Sequence, residues 1–451
     1  MRLNVTRGVI ALACAVFSLS VAANEELTLG RAIDAARAFD PGYSAGQHAL
    51  TAAREGKLVA SGGLLPQINL SAATSSTRGS RRFANSLNQD VTVALDYESP
   101  QASLTMRWPL INMEGFAAIE QSKAQVELAE QQFRAEGLDL LDRVTTAYLQ
   151  LVAAQETLAL VKAQVLAASV QLSQASSRQS AGEGTVMQTA QAAANLESAR
   201  SRVVDAETQL LLARAGVSRV TGLSDFRDPQ LPSLMLPPPI YPAELGDWKA
   251  VAQRSNPLVR AREQALDIAR AQVKRQFAGH LPRLDVFASV SKVRSDGVST
   301  IGQDSTLRTV GVQLQVPLFS GGAVQASVRQ AQARQRQADE ELRRERETVS
   351  FELSRHWQQM ISGEARVLAL NEAISASSLS LRGAARARQE GMATAADEAN
   401  LRSSDLELRR QLAQARIDLM LARVRMQSRA GIPFEEIVAD MERIWPAALT
   451  E

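Results

Sequence analysis

The chain repeats itself, and the repeat limits what it can fold into. Asp40-Pro41 returns as Asn256-Pro257 and Leu65-Pro66 as Leu281-Pro282, each displaced by 282 − 66 = 216 positions. Further along, the displacement becomes 333 − 124 = 209 and holds without a gap. Ala124 falls on Ala333, Tyr148 on Trp357, Gly182 on Gly391, Thr185 on Thr394 and Gly222 on Gly431. A unit of about 200 residues is too long for a solenoid repeat. Two similar halves in one chain point to a ring in which each protomer supplies two quasi-equivalent sectors.

Residues 1–23 read as a signal peptide. Arg2 and Arg7 make a basic start, Val9 to Val21 is a short apolar run, and Val21-Ala22-Ala23 offers small residues for cleavage. The run is too short for a transmembrane anchor. Cys14 is the single cysteine, and Ala11-Leu12-Ala13 before it is a poor lipidation signal, so the mature chain is expected to have no disulfide. Without Arg2 and Arg7 the 50 basic residues become 48, against 48 acidic ones, which gives no reason to invoke nucleic acid. No apolar run elsewhere is expected to reach transmembrane-helix length, so a membrane span would have to be built from strands.

Each half reads as a helix, a strand pair, a long helix, a turn and a return helix. Helix is expected from Leu27 to about Gly62. Strands are expected at about 67–77 and 101–108, and again at about 284–294 and 309–316. Ile68, Leu70 and Ala72 oppose Asn69, Ser71 and Ala73; Val310, Val312, Leu314 and Val316 oppose Thr309, Gly311, Gln313 and Gln315. Such alternation suits transmembrane β-strands, apolar to lipid and polar to the lumen. Segments 78–98 and 295–305 read as loops. Four strands cannot close a barrel, since even small ones need about 8.

The helices carry heptad ladders. Val144, Leu151, Leu158, Val165 and Leu172 repeat as Leu353, Met360, Val367, Ile374 and Leu381. A second stripe, Leu140, Ala147, Ala154, Val161 and Ala168, lies beside the first. The return helix carries Leu196, Val203, Leu210 and Val217. A sustained period of seven gives a left-handed supercoil, and two stripes per helix give each helix two neighbours. The expected domains are 24–228, a Pro-rich connector at 229–247, a second repeat at 248–432 and a tail at 433–451.

Catalytic chemistry has no foothold. His48, His280 and His356 are far apart in sequence and in no metal-ligand spacing. No Gly-Lys-Ser/Thr phosphate loop exists, and Gly182-Glu183-Gly184 lacks the third glycine of a dinucleotide fingerprint. No enzyme activity, cofactor or metal is expected.

Taken together, these features resemble the TolC family of outer-membrane export channels over essentially the whole mature chain. The carriers are the twofold repeat, the Asp40-Pro41 and Asn256-Pro257 pairs, and the strand entries Leu65-Pro66-Gln67 and Leu281-Pro282-Arg283. The strand exits Trp108-Pro109-Leu110 and Val316-Pro317-Leu318 and the turns Gly182–Thr185 and Gly391–Thr394 complete the set. The resemblance implies an α+β membrane protein: a homotrimeric 12-stranded β-barrel, four strands per protomer, in outer-membrane lipid. A long α-helical coiled-coil barrel would continue it into the periplasm.

The resemblance also implies sites. The helical turns would meet a periplasmic adaptor protein through Arg178, Ser180, Gly182, Gly184 and Thr185 and through Arg388, Gly391, Met392, Ala393 and Thr394. Asp397 would narrow the periplasmic entrance. The family's second carboxylate position falls on Asn400, a departure that leaves one acidic layer, while Gln188 is neutral in the first repeat. Salt bridges would lock the entrance, with Arg382, Arg386 and Arg388 as candidates. The implied function is passive export in a tripartite machine driven by an inner-membrane ABC transporter or proton-driven pump. Type I secretion of a protein toxin is the first expectation and drug efflux the second. A periplasmic coiled-coil scaffold without a pore is the remaining alternative.

Overall fold

The computed structural model describes residues 26–229, 237–295, 303–390 and 392–444. The signal-peptide expectation, part of the Pro-rich connector, Gly391 and the last residues of the tail lie outside them. The elements run α1 (Leu29–Phe39), α2 (Pro41–Gly62), β1 (Gln67–Ala84), β2 (Asp90–Ile111), α3 (Met113–Ser180) and α4 (Val186–Thr221). The second half follows with α5 (Leu245–Ser255), α6 (Pro257–Phe277), β3 (Arg283–Ser295), β4 (Gln303–Gln315), α7 (Ala323–Gln389) and α8 (Ala395–Ala430), and α9 (Phe434–Ile444) ends it.

The expected single helix at 27–62 is two helices, broken at Asp40. Asp40 Oδ1 accepts from the Tyr43 N–H at 2.8 Å, and Pro41 opens α2. In the second half Asn256 Oδ1 accepts from the N–H groups of Leu258 (2.8 Å) and Val259 (3.1 Å), and Pro257 opens α6. A short polar side chain satisfies first-turn donors, and proline fits where a helix needs no N–H. The repeated Asx-Pro pair is therefore a helix restart.

The chain divides into two units. One comprises 49–130 and 261–343, the other 1–48, 131–260 and 344–451. Helices α2, α3, α6 and α7 contribute to both.

The first unit holds a four-stranded antiparallel sheet in the order β1-β2-β3-β4, so β1 and β4 are its edges. Paired residues share a face. Ile68↔Met106, Leu70↔Leu104, Met106↔Ala288 and Ala288↔Val310 lie on one face; Asn69↔Thr105 and Ser71↔Ser103 lie on the other. The apolar face is bare: Leu70 is 77% and Val310 80% exposed in the single chain. Exposed apolar surface of this extent marks a membrane or a partner. Ion pairs Lys274–Glu120, Arg275–Glu114 and Arg54–Glu130 tie α6 and α2 to α3.

Segment 78–98, expected as a loop, is mostly strand. The pairing runs without slip from Gln67↔Arg107 to Ala84↔Asp90, leaving 85–89 as the turn. Val91, Val93, Leu95 and Tyr97 alternate there with Thr92, Ala94, Asp96 and Glu98, a pattern hidden by the charges around it. Of the other expected loop, 296–302 lies outside the described residues, and β4 already begins at Gln303.

The second unit is built on the heptad ladders. Val144, Leu151, Leu353, Met360, Val367, Leu196 and Val217 are buried. Leu29, Ile33 and Ala36 of α1, Leu140 and Leu141 of α3, Val217 of α4, Val424 of α8 and Ile437 and Met441 of α9 form one cluster. The tail at 433–451 thus contains an amphipathic helix docked on this core. One 18-residue stretch of α3 has a mean hydropathy of 1.3, enough by length and composition to cross a membrane, contrary to the expectation from sequence. Among α3's buried apolar residues, Leu140, Val144, Leu151 and Ala168 lie on the ladders, and Leu141, Tyr148, Leu149 and Val152 beside them enter the same core cluster as Leu140, Val144 and Leu151.

Candidate functional site

The two helical turns at the ends of α3 and α7 are the candidate site. At the first, the N–H of Glu183 donates to the Arg178 carbonyl (2.9 Å) and that of Gly182 to the Gln179 carbonyl (3.1 Å). This is a Schellman ending, and Gly182 has the left-handed φ of 79° that it requires. Gly184 is needed for space: a Cβ there would lie 2.9 Å from the Gln179 backbone nitrogen. Thr185 then caps α4. Its Oγ1 accepts from the Gln188 N–H (3.3 Å), while the Thr185 N–H donates to Gln188 Oε1 (3.0 Å).

The second turn repeats the design with a charge in it. The Met392 N–H donates to the Ala387 carbonyl at 2.8 Å, the counterpart of Glu183 on Arg178. Thr394 caps α8, and Asp397 stands where Gln188 stood. Asp397 Oδ2 accepts from the Thr394 hydroxyl (2.7 Å) and N–H (2.9 Å). These bonds hold the exposed Asp397 carboxyl below the usual carboxylate range, so it is ionised at neutral pH. Ala393 takes the place of Gly184.

The expected docking residues gather at these turns. Arg178, Ser180, Gly182 and Thr185 are exposed, as are Met392 and Thr394, while Gly184 and Ala393 are half-buried. The Ser180 hydroxyl is spent on the Ser177 carbonyl at 2.9 Å. Sequence reading passed over Val186 and Met187, which are 71% and 76% exposed. Two large apolar residues directly after a capping threonine were the available signal, because first-turn side chains of a capped helix face outward at a tip.

Arg388 stands apart from Arg382 and Arg386. Its Nη1 donates to Glu398 Oε2 (2.7 Å) on α8 and to Gln174 Oε1 (3.2 Å) on α3, joining the first hairpin to the second. Arg402 also reaches Glu398, at 3.6 Å. Asn400 is exposed. No group of His, Cys, Asp and Glu fit to hold a metal occurs among the described residues.

Comparison with known proteins agrees with this architecture. The family model for outer membrane efflux proteins matches residues 32–223 and 249–431, one match to each repeat. This chain therefore belongs to the TolC family of outer membrane efflux proteins. It is 30% identical over 295 residues to the proteases secretion protein PrtF of Dickeya chrysanthemi, covering 64% of each chain. It is 28% identical over 354 residues to the alkaline protease secretion protein AprF of Pseudomonas aeruginosa, covering 77% of this chain and 72% of that one. The chain thus spans a little under two thirds of PrtF. The outer-membrane channel OprN superposes with a TM-score of 0.76 over 90% of each chain at 20% identity, which establishes the fold.

Proposed function

We propose that three copies of this chain form the outer-membrane exit duct of a tripartite export system. The carrying observation is the four-stranded sheet with a bare apolar face and two open edges. Backbone groups at an open edge cannot remain unpaired in lipid, so copies must join edge to edge. Three copies give 12 strands, within the range of closed membrane barrels. The helical hairpins then extend a tunnel into the periplasm.

At the hairpin ends, Val186, Met187 and Met392 supply apolar knobs on rigid, capped turns, a surface suited to the hairpin of an adaptor protein. Arg178, Ser180, Gly182, Gly184, Thr185, Arg388, Ala393 and Thr394 frame it. Asp397, held by its cap, supplies one negative ring at the entrance, with Asn400 as a neutral layer behind. Arg388 with Glu398 and Gln174 holds the two hairpins of one chain together. The energy comes from an inner-membrane pump.

The cargo we assign is protein, by type I secretion. The names of PrtF and AprF as protease secretion proteins support it. The test is the secreted-protein profile of a strain lacking this chain, with and without complementation. Loss of one secreted protein from the medium, retained in cells, is the expected result. An unchanged profile with raised drug accumulation would refute the cargo and favour small-molecule efflux.

A further inference from the structure

The β1–β2 hairpin outgrows its sheet. The last β2–β3 pair is Gln101↔Val293, and Pro100, which has no N–H to give a ladder, follows at once. Beyond that point, among the described residues, β2 pairs only with β1, down to Ala84↔Asp90. The 11 positions from Pro100 to Asp90 give a two-stranded ribbon about 35 Å long at roughly 3.4 Å per residue.

The polarity of its faces is inverted. Register is unbroken, so the face that carries Ile68, Leu70, Leu104 and Met106 continues up the ribbon as Arg78, Arg82, Asp90, Asp96 and Glu98. Arg78–Asp96 (3.3 Å) and Arg82–Asp90 (3.6 Å) pair across the strands on that outer face. The face that carries Asn69, Ser71, Ser103 and Thr105 continues as Phe83, Val91, Val93, Leu95 and Tyr97. Arg81 is its one charge. The switch recurs on the shorter hairpin, where Lys292, Arg294 and Asp304 turn outward while Val293 and Leu307 turn inward. On both hairpins the outer face thus turns from apolar to charged and the lumen face from polar to apolar toward the tip, the charges beginning lower on β3–β4, at Lys292 and Arg308, than on β1–β2.

A two-stranded ribbon in water is marginal unless one face is covered. The seam along which copies join runs up the edge of β1 into this ribbon, and its apolar face continues the wall of the lumen. What lies opposite that face is the same face of the other two copies.

We infer that the three ribbons pack through Phe83, Val91, Val93, Leu95 and Tyr97 into an apolar collar over the extracellular mouth. This inference rests on the trimeric channel proposed above. The collar seals by excluding water, as apolar constrictions do, and an exiting polypeptide parts it. Leu95 faces Gly79 across the strands, so its side chain stands proud of the surface and makes the tightest ring. Arg81, opposite Val93, keeps the next level wetter.

The test uses the full chain with Cys14→Ser, carrying either Leu95→Cys or Ala94→Cys, expressed in outer membranes. Leu95→Cys is expected to form covalent dimers with an oxidant or a short bis-maleimide. A threefold ring leaves one subunit in three unpaired, so dimer should approach two thirds of the protein. Ala94→Cys, on the outer face, should form none and should react on whole cells with a membrane-impermeant maleimide. Unboiled gels report the trimer for each variant. Absent trimers would refute the channel itself. Trimers in which Leu95→Cys links with neither reagent would overturn the collar and leave the channel standing.

Discussion

Removing the charge of Arg423 is expected to release α9. Arg423 is buried, with its side chain 4% exposed. Its Nε donates to Asp440 Oδ2 (2.8 Å), its Nη2 to Asp440 Oδ1 (3.0 Å), and its Nη1 to the Pro238 carbonyl. Gln427 Nε2 adds a bond to Asp440 Oδ2 at 2.9 Å. Burial pushes the Asp440 carboxyl up, but Arg423 and Gln427 outweigh it and hold the group below the usual carboxylate range. Arg423→Met strands that carboxylate, and breaking a buried pair from one side costs about 3–5 kcal/mol. At 1.36 kcal/mol per decade this speeds hydrogen exchange of the α9 amides by roughly two to nearly four orders of magnitude, where they exchange by local opening. Arg423→Met with Asp440→Leu should recover most of the loss, since no charge is left unpaired. Because the folded carboxyl is depressed, its stabilisation is complete above the ordinary carboxylate range. It is lost as pH falls through the depressed value. Exchange within tenfold of the parent in Arg423→Met, or a double variant as loose as the single, would refute the reasoning.

Three further outcomes are expected. Thr394→Ala removes the cap of α8 and should destabilise its first turn by about 1 kcal/mol, read as faster exchange confined to 395–399; Thr394→Ser should restore it. Gly184→Ala should abolish capture of the cognate adaptor while trimers persist, because its Cβ would meet the Gln179 backbone at 2.9 Å and reshape the tip; capture at parental strength would contradict the docking role. Asp397→Ala should lower cation preference in a planar bilayer, and Arg388→Ala should raise conductance by freeing Glu398 and Gln174. Unchanged selectivity or conductance would remove the respective assignment.

Much of this molecule was legible in its sequence because local rules coincide with tertiary ones. Heptad ladders foretold which faces of α3, α4 and α7 are buried, since a period of 3.5 keeps one stripe on its neighbour over many turns. Paired Pro residues marked where strands begin and end. The capping function of Asp397 was visible as a polar residue three places after Thr394, but the partners of Arg388 were not: Gln174 lies 214 residues away, and only packing of the two hairpins brings them together.

The inverted ribbon at 78–98 escaped for a different reason. Alternation identifies a strand, but polarity assigns its face only after the surroundings are known, and lipid and water reverse the rule. The sequence by itself determined the duplicated order of helices and strands, because period and punctuation are properties of neighbouring residues. Register, the partners of Arg388 and the face on which Leu95 lies were decided by tertiary structure, because each depends on which distant strand or helix arrives opposite.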